Sequence, residues 1–299
     1  MIYSKLNVEI NLDDKRIQDW NYSSAMRGIF GRTLKQIYCI QRNILCDNCS
    51  FDHCFYYELF EKKYGSYRKF HPYIINDITP VDYLDRLLIQ FMFIGKICNQ
   101  LPQLIHGLLR IQKYALIAAK YSYNMQINTI KNQDGILTYD KKIGKIDLPN
   151  LCEIGIEKRS AKKLKIHIET PFRVKYRNQF LRKFIWHAFI HSLYERLKYI
   201  NNYFCASDLK LHLLRKNYDI QVITDNTTWK EQYRKSHIQK QKMSFGGLVG
   251  DIIIENVDED TYALLKLGEL FHVGKQTTFG LGKYKLEIIE NNEECIYDN

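Results

Sequence analysis

Apolar residues recur at strand and helix spacing, in the same order, in both halves of this 299-residue chain. In the first half, alternation over Tyr3–Leu12 predicts a strand, and an apolar face over Ser23–Tyr38 predicts a helix. A cysteine-containing segment follows. The pattern then predicts a strand over Leu87–Ile94, a helix over Leu101–Ile111 and a strand over Tyr121–Asn128.

The second half repeats this order. Its elements are a strand over Lys163–Ile168 that breaks at Pro171, a helix over Gln179–Tyr199, a strand at Ile252–Ile254, a short helix capped by Asp258 or Asp260, and a closing strand. Strand–helix–strand, twice in each half, predicts an α+β fold of two tandem ferredoxin-like domains. We expect these domains at residues 1–145 and 146–299, with a cysteine-containing insertion at about residues 39–60 in the first.

The stretch Lys242–Ile289 concentrates glycines and lysines around a predicted strand, helix, turn and strand. Glycine allows positive φ and close backbone approach to a ligand, and free N–H groups beside lysines bind anions. Because the chain is strongly basic, we expect nucleic-acid phosphate as the anion. The predicted RNA-binding residues here are Gly246, Gly247, Gly274, Lys275, Gly280, Gly282 and Lys283. A glycine-containing β-hairpin turn is the alternative interpretation.

The order GGLVGDI, then LLKLGELFHVGKQTTFGLGKYKL, resembles the C-terminal domain of the CRISPR-associated RAMP endoribonucleases that process precursor crRNA. The likeness keeps the order of strand, helix, loop and strand. It implies two ferredoxin-like RNA-binding domains and cleavage within each repeat of the precursor transcript, by attack of the 2′-OH without a catalytic metal or other cofactor. The products would carry a 5′-hydroxyl and a 2′,3′-cyclic or 3′ phosphate.

Composition narrows the class of protein without identifying the partner. The chain has 44 Lys and Arg against 33 Asp and Glu, a net charge of +11, with 22 tyrosines and 15 phenylalanines. A positive excess favours a polyanionic partner, and aromatic rings among lysines suit single-stranded RNA. No apolar run reaches membrane-spanning length and the N-terminus lacks the apolar core of a signal peptide. We therefore expect a cytoplasmic protein without a membrane partner.

Four cysteines lie close together in the segment CIQRNILCDNCSFDHC. Clustered cysteines in a cytosolic chain point to metal rather than disulfides, so Cys39, Cys46, Cys49 and Cys54 are candidate ligands of a structural zinc. His53 could replace one thiolate, and an iron–sulfur cluster would use the same ligand type. Free buried thiols and redox chemistry are the other interpretations. The RAMP resemblance implies a structural role for this insertion.

RNA cleavage without metal needs a base for the 2′-OH, an acid for the leaving 5′-oxygen and a cation for the phosphate. Histidine suits the first two tasks, and relatives often carry one on or near the first helix, but Asn21–Cys39 contains none. The candidate catalytic residues are therefore His272, Lys35 and Arg32. Arg27 is a further candidate RNA contact. A helix cap is the alternative role for His272, and a solvated helix face is the alternative for the cations.

Two functions follow from the resemblance. The first is a repeat-RNA endoribonuclease, which the intact glycine unit favours. The second is a non-catalytic RNA-binding RAMP subunit of a CRISPR effector complex, which the missing histidine favours. A cysteine-cluster nucleic-acid module unrelated to CRISPR is a third reading. The expected partners are the repeat RNA of precursor crRNA and effector-complex proteins. Lys230–Lys242 is either a flexible basic segment beside the RNA or a solvated loop.

Overall fold

The computed structural model describes residues 1–17, 20–51, 54–63, 70–118, 120–205, 208–235 and 242–291. The chain divides into two compact units. The N-terminal unit consists mainly of Met1–Ile154, and the C-terminal unit consists of most of the chain from Gly155 onward. No helix within these described ranges is both long enough and apolar enough to cross a membrane.

The N-terminal unit is an antiparallel sheet with two helices. Its strands and helices are β1 (Ile2–Leu12), α1 (Tyr22–Tyr38), β2 (Tyr73–Asp77), β3 (Arg86–Ile94), α2 (Leu101–Arg110), β4 (Leu116–Ala118), β5 (Tyr121–Tyr123), β6 (Met125–Asn132), β7 (Leu137–Asp140) and β8 (Cys152–Glu153). Single helical turns are Cys46–Asn48, Tyr57–Glu61, Gly95–Gln100 and Ile111–Lys113. The sheet order is β2-β3-β1-β6-β7, and β8 pairs with the first residues of β1.

The remaining elements follow in chain order. They are β9 (Ala161–Phe172), β10 (Lys175–Tyr176), β11 (Gln179–Phe180), α3 (Trp186–Phe204), β12 (Gln221–Asp225), β13 (Thr228–Lys230), β14 (Tyr233–Lys235), β15 (Lys242–Ser244), β16 (Gly247–Val257), α4 (Glu259–Phe271) and β17 (Tyr284–Glu290), with single turns at Leu211–Leu213 and Thr277–Phe279. The sheet of the C-terminal unit has the order β12-β16-β9-β17, and every pairing in it is antiparallel.

Each sheet has the strand order of a ferredoxin-like fold. In both units the first strand of the repeat, β1 or β9, lies between the third and fourth strands, and the two helices connect strands of the same sheet. Alternation along β1 buries Leu6, Val8 and Ile10 completely, because every second side chain of a strand points to the same face. The predicted α+β class with two ferredoxin-like folds is confirmed.

Two predicted boundaries differ from the structure. α3 begins at Trp186 rather than Gln179, because Gln179–Phe180 pairs with Lys175–Tyr176 in a hairpin. β9 continues through Pro171 to Phe172 instead of breaking there. Proline is tolerated because residue 171 has no register partner on either side: the pairing with β17 begins only at Ile168, and the register to β16 shifts between Leu248 and Gly250.

Candidate nucleic-acid interface

The loop from His272 to Lys283 joins α4 to β17 and contains most of the predicted phosphate contacts. Its tight course depends on Gly282, which has φ +71° and whose added Cβ would lie 1.8 Å from the Val273 carbonyl oxygen. A side chain cannot occupy that position without displacing backbone. Gly282 therefore allows two segments of this chain to lie close to each other.

Backbone N–H groups of this loop donate hydrogen bonds to carbonyl groups of the same chain. The Lys275 N–H donates to the Arg173 carbonyl at 2.8 Å, and the Gly282 N–H donates to the Pro171 carbonyl at 3.1 Å. The Gly280 N–H donates to the Thr277 carbonyl at 2.9 Å. These three groups donate within the chain, and contact of this loop with an anion stays a prediction. Buried N–H groups require such partners.

The remaining predicted glycines are also buried against their own chain. At Gly247, the first residue of β16, a Cβ would lie 2.5 Å from the Phe172 carbonyl oxygen. At Gly246 a Cβ would lie 2.7 Å from a Glu231 carboxylate oxygen, and at Gly274 it would lie 2.5 Å from the Arg173 carbonyl oxygen. The structure thus supplies a packing reason for each glycine, and their contact with RNA stays a prediction.

The two lysines of the loop have different surroundings. Lys275 is exposed. Lys283 is half-buried, and its ammonium lies 2.6 Å from Glu169, which also binds Lys285 at 2.8 Å. Burial tends to raise the pKa of Glu169, but the hydrogen bonds from Lys283 and Lys285 outweigh burial and hold this pKa below its usual value. The Lys283 ammonium is therefore paired with a carboxylate, and Lys275 is the more exposed of the two lysines.

His272 lies inside the protein rather than on its surface. It is 2% exposed, adopts φ +62° directly after α4, and its backbone N–H donates to the Gly268 carbonyl. Its Nδ1 lies 3.2 Å from the Leu281 carbonyl oxygen across the loop. This position matches the alternative of a helix-end residue that braces the loop. A catalytic role for His272 stays a prediction, and the burial of the ring argues against it.

The three predicted cations of α1 occupy different environments. Arg27 is packed among aromatic rings, with its guanidinium 5.5 Å from the centre of the Phe60 ring and Nη2 3.3 Å from Nε2 of His71. Arg32 is exposed and its guanidinium lies 5.3 Å from the centre of the Tyr114 ring. Lys35 is half-buried. The structure thus leaves Arg32 exposed and places Arg27 in an internal contact.

The four clustered cysteines are free thiols in different environments. Cys39 and Cys54 are buried, and Cys46 and Cys49 are half-buried. The Cys49 thiol donates to Oε1 of Gln41 at 3.2 Å. Across the described residues, no three His, Cys, Asp or Glu side chains are grouped so that they could hold a metal ion. His53 lies outside the described residues. The structural zinc stays a prediction of the sequence, which metal analysis of the purified protein would test.

Sequence reasoning missed a polar cluster on the N-terminal helices. Tyr38 ends α1, and His106 and Arg110 lie one turn apart on α2. The i, i+4 spacing of a histidine and an arginine on the polar face of an amphipathic helix was the available signal. Most of the basic run Lys230–Lys242 lies outside the described residues or among side chains that are not described.

The structure thus defines a protein with two ferredoxin-like units, in a chain whose net charge is +11. Residues 166–284 match the family described as CRISPR-associated endoribonuclease Cas6. Residues 1–147 match a second family, AF_1859_N, described as an N-terminal domain. Residues 166–284 of this chain are thus similar to the CRISPR-associated Cas6 family.

Solved structures share the fold over nearly the whole chain. A Cas6 product complex has a TM-score of 0.60 at 13% identity and covers 96% of this chain and 100% of that chain. Cas6 of Thermus thermophilus has a TM-score of 0.55 at 12% identity over 96% of this chain and 98% of that chain. A partial Cas6-RT-Cas1–Cas2 complex gives 0.54 at 13% identity, over 98% of this chain and 47% of that chain.

The description of a curated sequence relative states no activity. It is an uncharacterized protein of Archaeoglobus fulgidus, 24% identical over 280 residues, which cover 88% of this chain and 90% of that protein.

Proposed function

We propose that this chain cleaves precursor crRNA within each repeat. The 2′-OH beside the scissile phosphate attacks the phosphorus, so the upstream product ends in a 2′,3′-cyclic phosphate and the downstream product begins with a 5′-hydroxyl. No metal ion takes part in this chemistry. The observation that carries the proposal is the match of residues 166–284 to a family described as CRISPR-associated endoribonucleases.

Two exposed cations support RNA binding at separate places. Lys275 lies in the glycine-rich loop, and Arg32 lies on α1 beside the ring of Tyr114. An arginine stacked on a tyrosine offers both a charge for phosphate and a flat surface for a base. In this proposal Lys275 and Arg32 bind phosphate, and half-buried Lys35 adds to the positive potential around Arg32.

The proposal is tested by the ends that the reaction leaves. Purified protein is incubated in EDTA with the repeat RNA of its host and with a shuffled RNA of the same composition. Mass spectrometry should find one cut in the repeat, with a cyclic or 3′ phosphate on one fragment and a 5′-hydroxyl on the other. Fragments with a 3′-hydroxyl and a 5′-phosphate, or equal cleavage of both RNAs, would refute the mechanism.

A non-catalytic RNA-binding subunit is the second candidate function. The observation in its favour is that α1 contains no histidine and that His272 is buried. A solved relative shows the Cas6 fold within a larger Cas6-RT-Cas1–Cas2 assembly. Tight binding of repeat RNA, with no cleavage of that RNA over hours, would favour this function.

A further inference from the structure

A chain of hydrogen bonds links α1 and α2 on an exposed surface of the N-terminal unit. The Tyr38 hydroxyl lies 3.2 Å from Nδ1 of His106 and donates to the Gln103 carbonyl at 3.3 Å. Arg110 Nε donates to Nε2 of His106 at 3.3 Å. His106 and Arg110 are exposed, and Tyr38 is half-buried. Each ring nitrogen of His106 therefore has a hydrogen-bond partner, and the side chain is still exposed to solvent.

These bonds determine which nitrogen of His106 carries the proton. A guanidinium only donates hydrogen bonds, so Nε2 must accept from Arg110. The proton of the neutral ring is then on Nδ1, which donates to the Tyr38 oxygen, while the Tyr38 proton goes to the Gln103 carbonyl. Burial raises the pKa of Tyr38, so the hydroxyl keeps its proton. Nε2 is consequently the basic atom of the cluster.

The helices around this cluster attract anions. The residues of α1, of α2 and of the turn Ile111–Lys113 include Arg27, Arg32, Lys35, Arg110 and Lys113, and no aspartate or glutamate. Positive charge without neighbouring carboxylates on the same elements favours phosphate binding. The contrast is with Lys283 and Lys285, whose charges both face Glu169. A backbone phosphate is thus drawn to the helices that hold His106.

We propose that His106 is the general base of RNA cleavage, that Arg110 binds the scissile phosphate, and that Tyr38 is a positioning residue. This inference rests on the proposed function. A phosphate oxygen competes for Arg110 because a charge-assisted bond is stronger than the bond to a neutral imidazole. When Arg110 turns to the phosphate, Nε2 of His106 becomes free to accept a proton.

The reaction then proceeds in one displacement. The 2′-oxygen gives its proton to Nε2 of His106 and forms a bond to phosphorus, while the bond from phosphorus to the 5′-oxygen breaks. The 5′-oxygen takes a proton from water, and His106 later returns its proton to water. The products are a 2′,3′-cyclic phosphate and a 5′-hydroxyl. With His106 of α2 as the base, the reaction needs no histidine on α1.

Single-turnover cleavage of repeat RNA in EDTA, at saturating protein, tests the assignment. His106→Ala and His106→Gln should lower the rate about 10²- to 10⁴-fold, because a general base contributes this much. The dissociation constant should change little, since neither substitution removes a charge. Tyr38→Phe keeps the ring, and it should lower the rate at saturation without changing RNA affinity or the melting temperature. His191→Ala, at an exposed histidine of α3, is the matched control and should cleave at the wild-type rate.

The possible outcomes separate this inference from the proposed function. Wild-type cleavage by both His106 variants would overturn the role of His106 and leave the nuclease intact. An equal loss in His191→Ala would also overturn it, since the effect would not be specific to the cluster. Binding without cleavage by the wild-type protein would overturn the nuclease and the inference together.

Discussion

At the residue scale, Lys275 and Lys283 differ in exposure: Lys275 is exposed, whereas Lys283 is half-buried beside Glu169. Lys275→Ala should weaken RNA binding across sequences and reduce the slope of log K against log salt by about one, as expected for one lost phosphate contact. Lys283→Ala is the matched control, because Glu169 lies 2.6 Å from this ammonium in the free protein. Affinities at several salt concentrations measure both effects. A smaller loss for Lys275→Ala than for Lys283→Ala would contradict the assignment.

Two glycines with nearly the same φ isolate the effect of close backbone approach. Gly282 has φ +71° and faces the Val273 carbonyl, whereas Gly144 has φ +72° and has nothing within 4 Å of an added Cβ. Gly144→Ala should cost about 1 kcal/mol through φ alone, and Gly282→Ala about 2–5 kcal/mol through φ and the clash. Thermal unfolding measures the difference. Equal shifts in melting temperature would show that the loop relaxes around the added methyl group.

Arg32 and His106 show what the sequence could and could not predict of the site. A basic first helix is visible as a pattern and makes Arg32 a candidate catalytic residue; the structure shows this side chain exposed, and its role stays a prediction. The pairing of His106 with Tyr38 joins residues 68 positions apart, and one sequence gives no sign of such contacts. The glycines were predicted as ligand contacts because sequence alone does not show whether the approaching group is RNA or the protein's own backbone.

At the element scale, the junction of β9 and β17 links pH to stability through Glu169. The pKa of this carboxyl is lowered in the folded state, so its stabilising effect is fully present above the unfolded value near 4.5 and is lost as pH falls through the folded value. Glu169→Gln should lower the free energy of unfolding at pH 7, and the difference from wild type should shrink below about pH 4.5.

Denaturant unfolding between pH 7 and pH 3 measures this difference. Glu153→Gln, at an exposed glutamate of β8, is the control and should show little change at either pH. A difference for Glu169→Gln that is constant over the range would mean that the carboxyl titrates equally in both states. The same variant leaves Lys283 without its carboxylate partner, so it should also bind RNA more tightly if the loop faces RNA.

The elements that sequence predicted and those that it missed differ in length and pattern. The long strands β1 and β16 and the helices α1, α2 and α4 gave clear periodicity, and Asp258 caps α4 as expected by accepting from the Thr261 N–H. The second strand of each sheet was missed. β2 is five residues long with four consecutive buried side chains, so it shows no alternation, and β12 is five residues long and mostly exposed.

At the scale of the whole molecule, the similarity to the Cas6 family rests on the fold and the glycine-rich segment together. The duplicated order of strands and helices predicted two ferredoxin-like folds, and GGLVG followed by GLG predicted the relationship that the match of residues 166–284 supports. Net charge predicted only a polyanionic partner. The structure adds that the helices of the N-terminal unit carry cations without carboxylates, whereas the sheet of the C-terminal unit pairs its lysines with acids.

The most direct test of RNA cleavage by this chain compares two substrates that differ in one atom. Purified protein is incubated in EDTA with its repeat RNA and with the same RNA carrying a single 2′-deoxynucleotide at the cut site. We predict cleavage of the first and none of the second, with equal affinity for both, because only the attacking hydroxyl is missing. Cleavage of both substrates, or of neither, would contradict a nuclease that uses the 2′-OH.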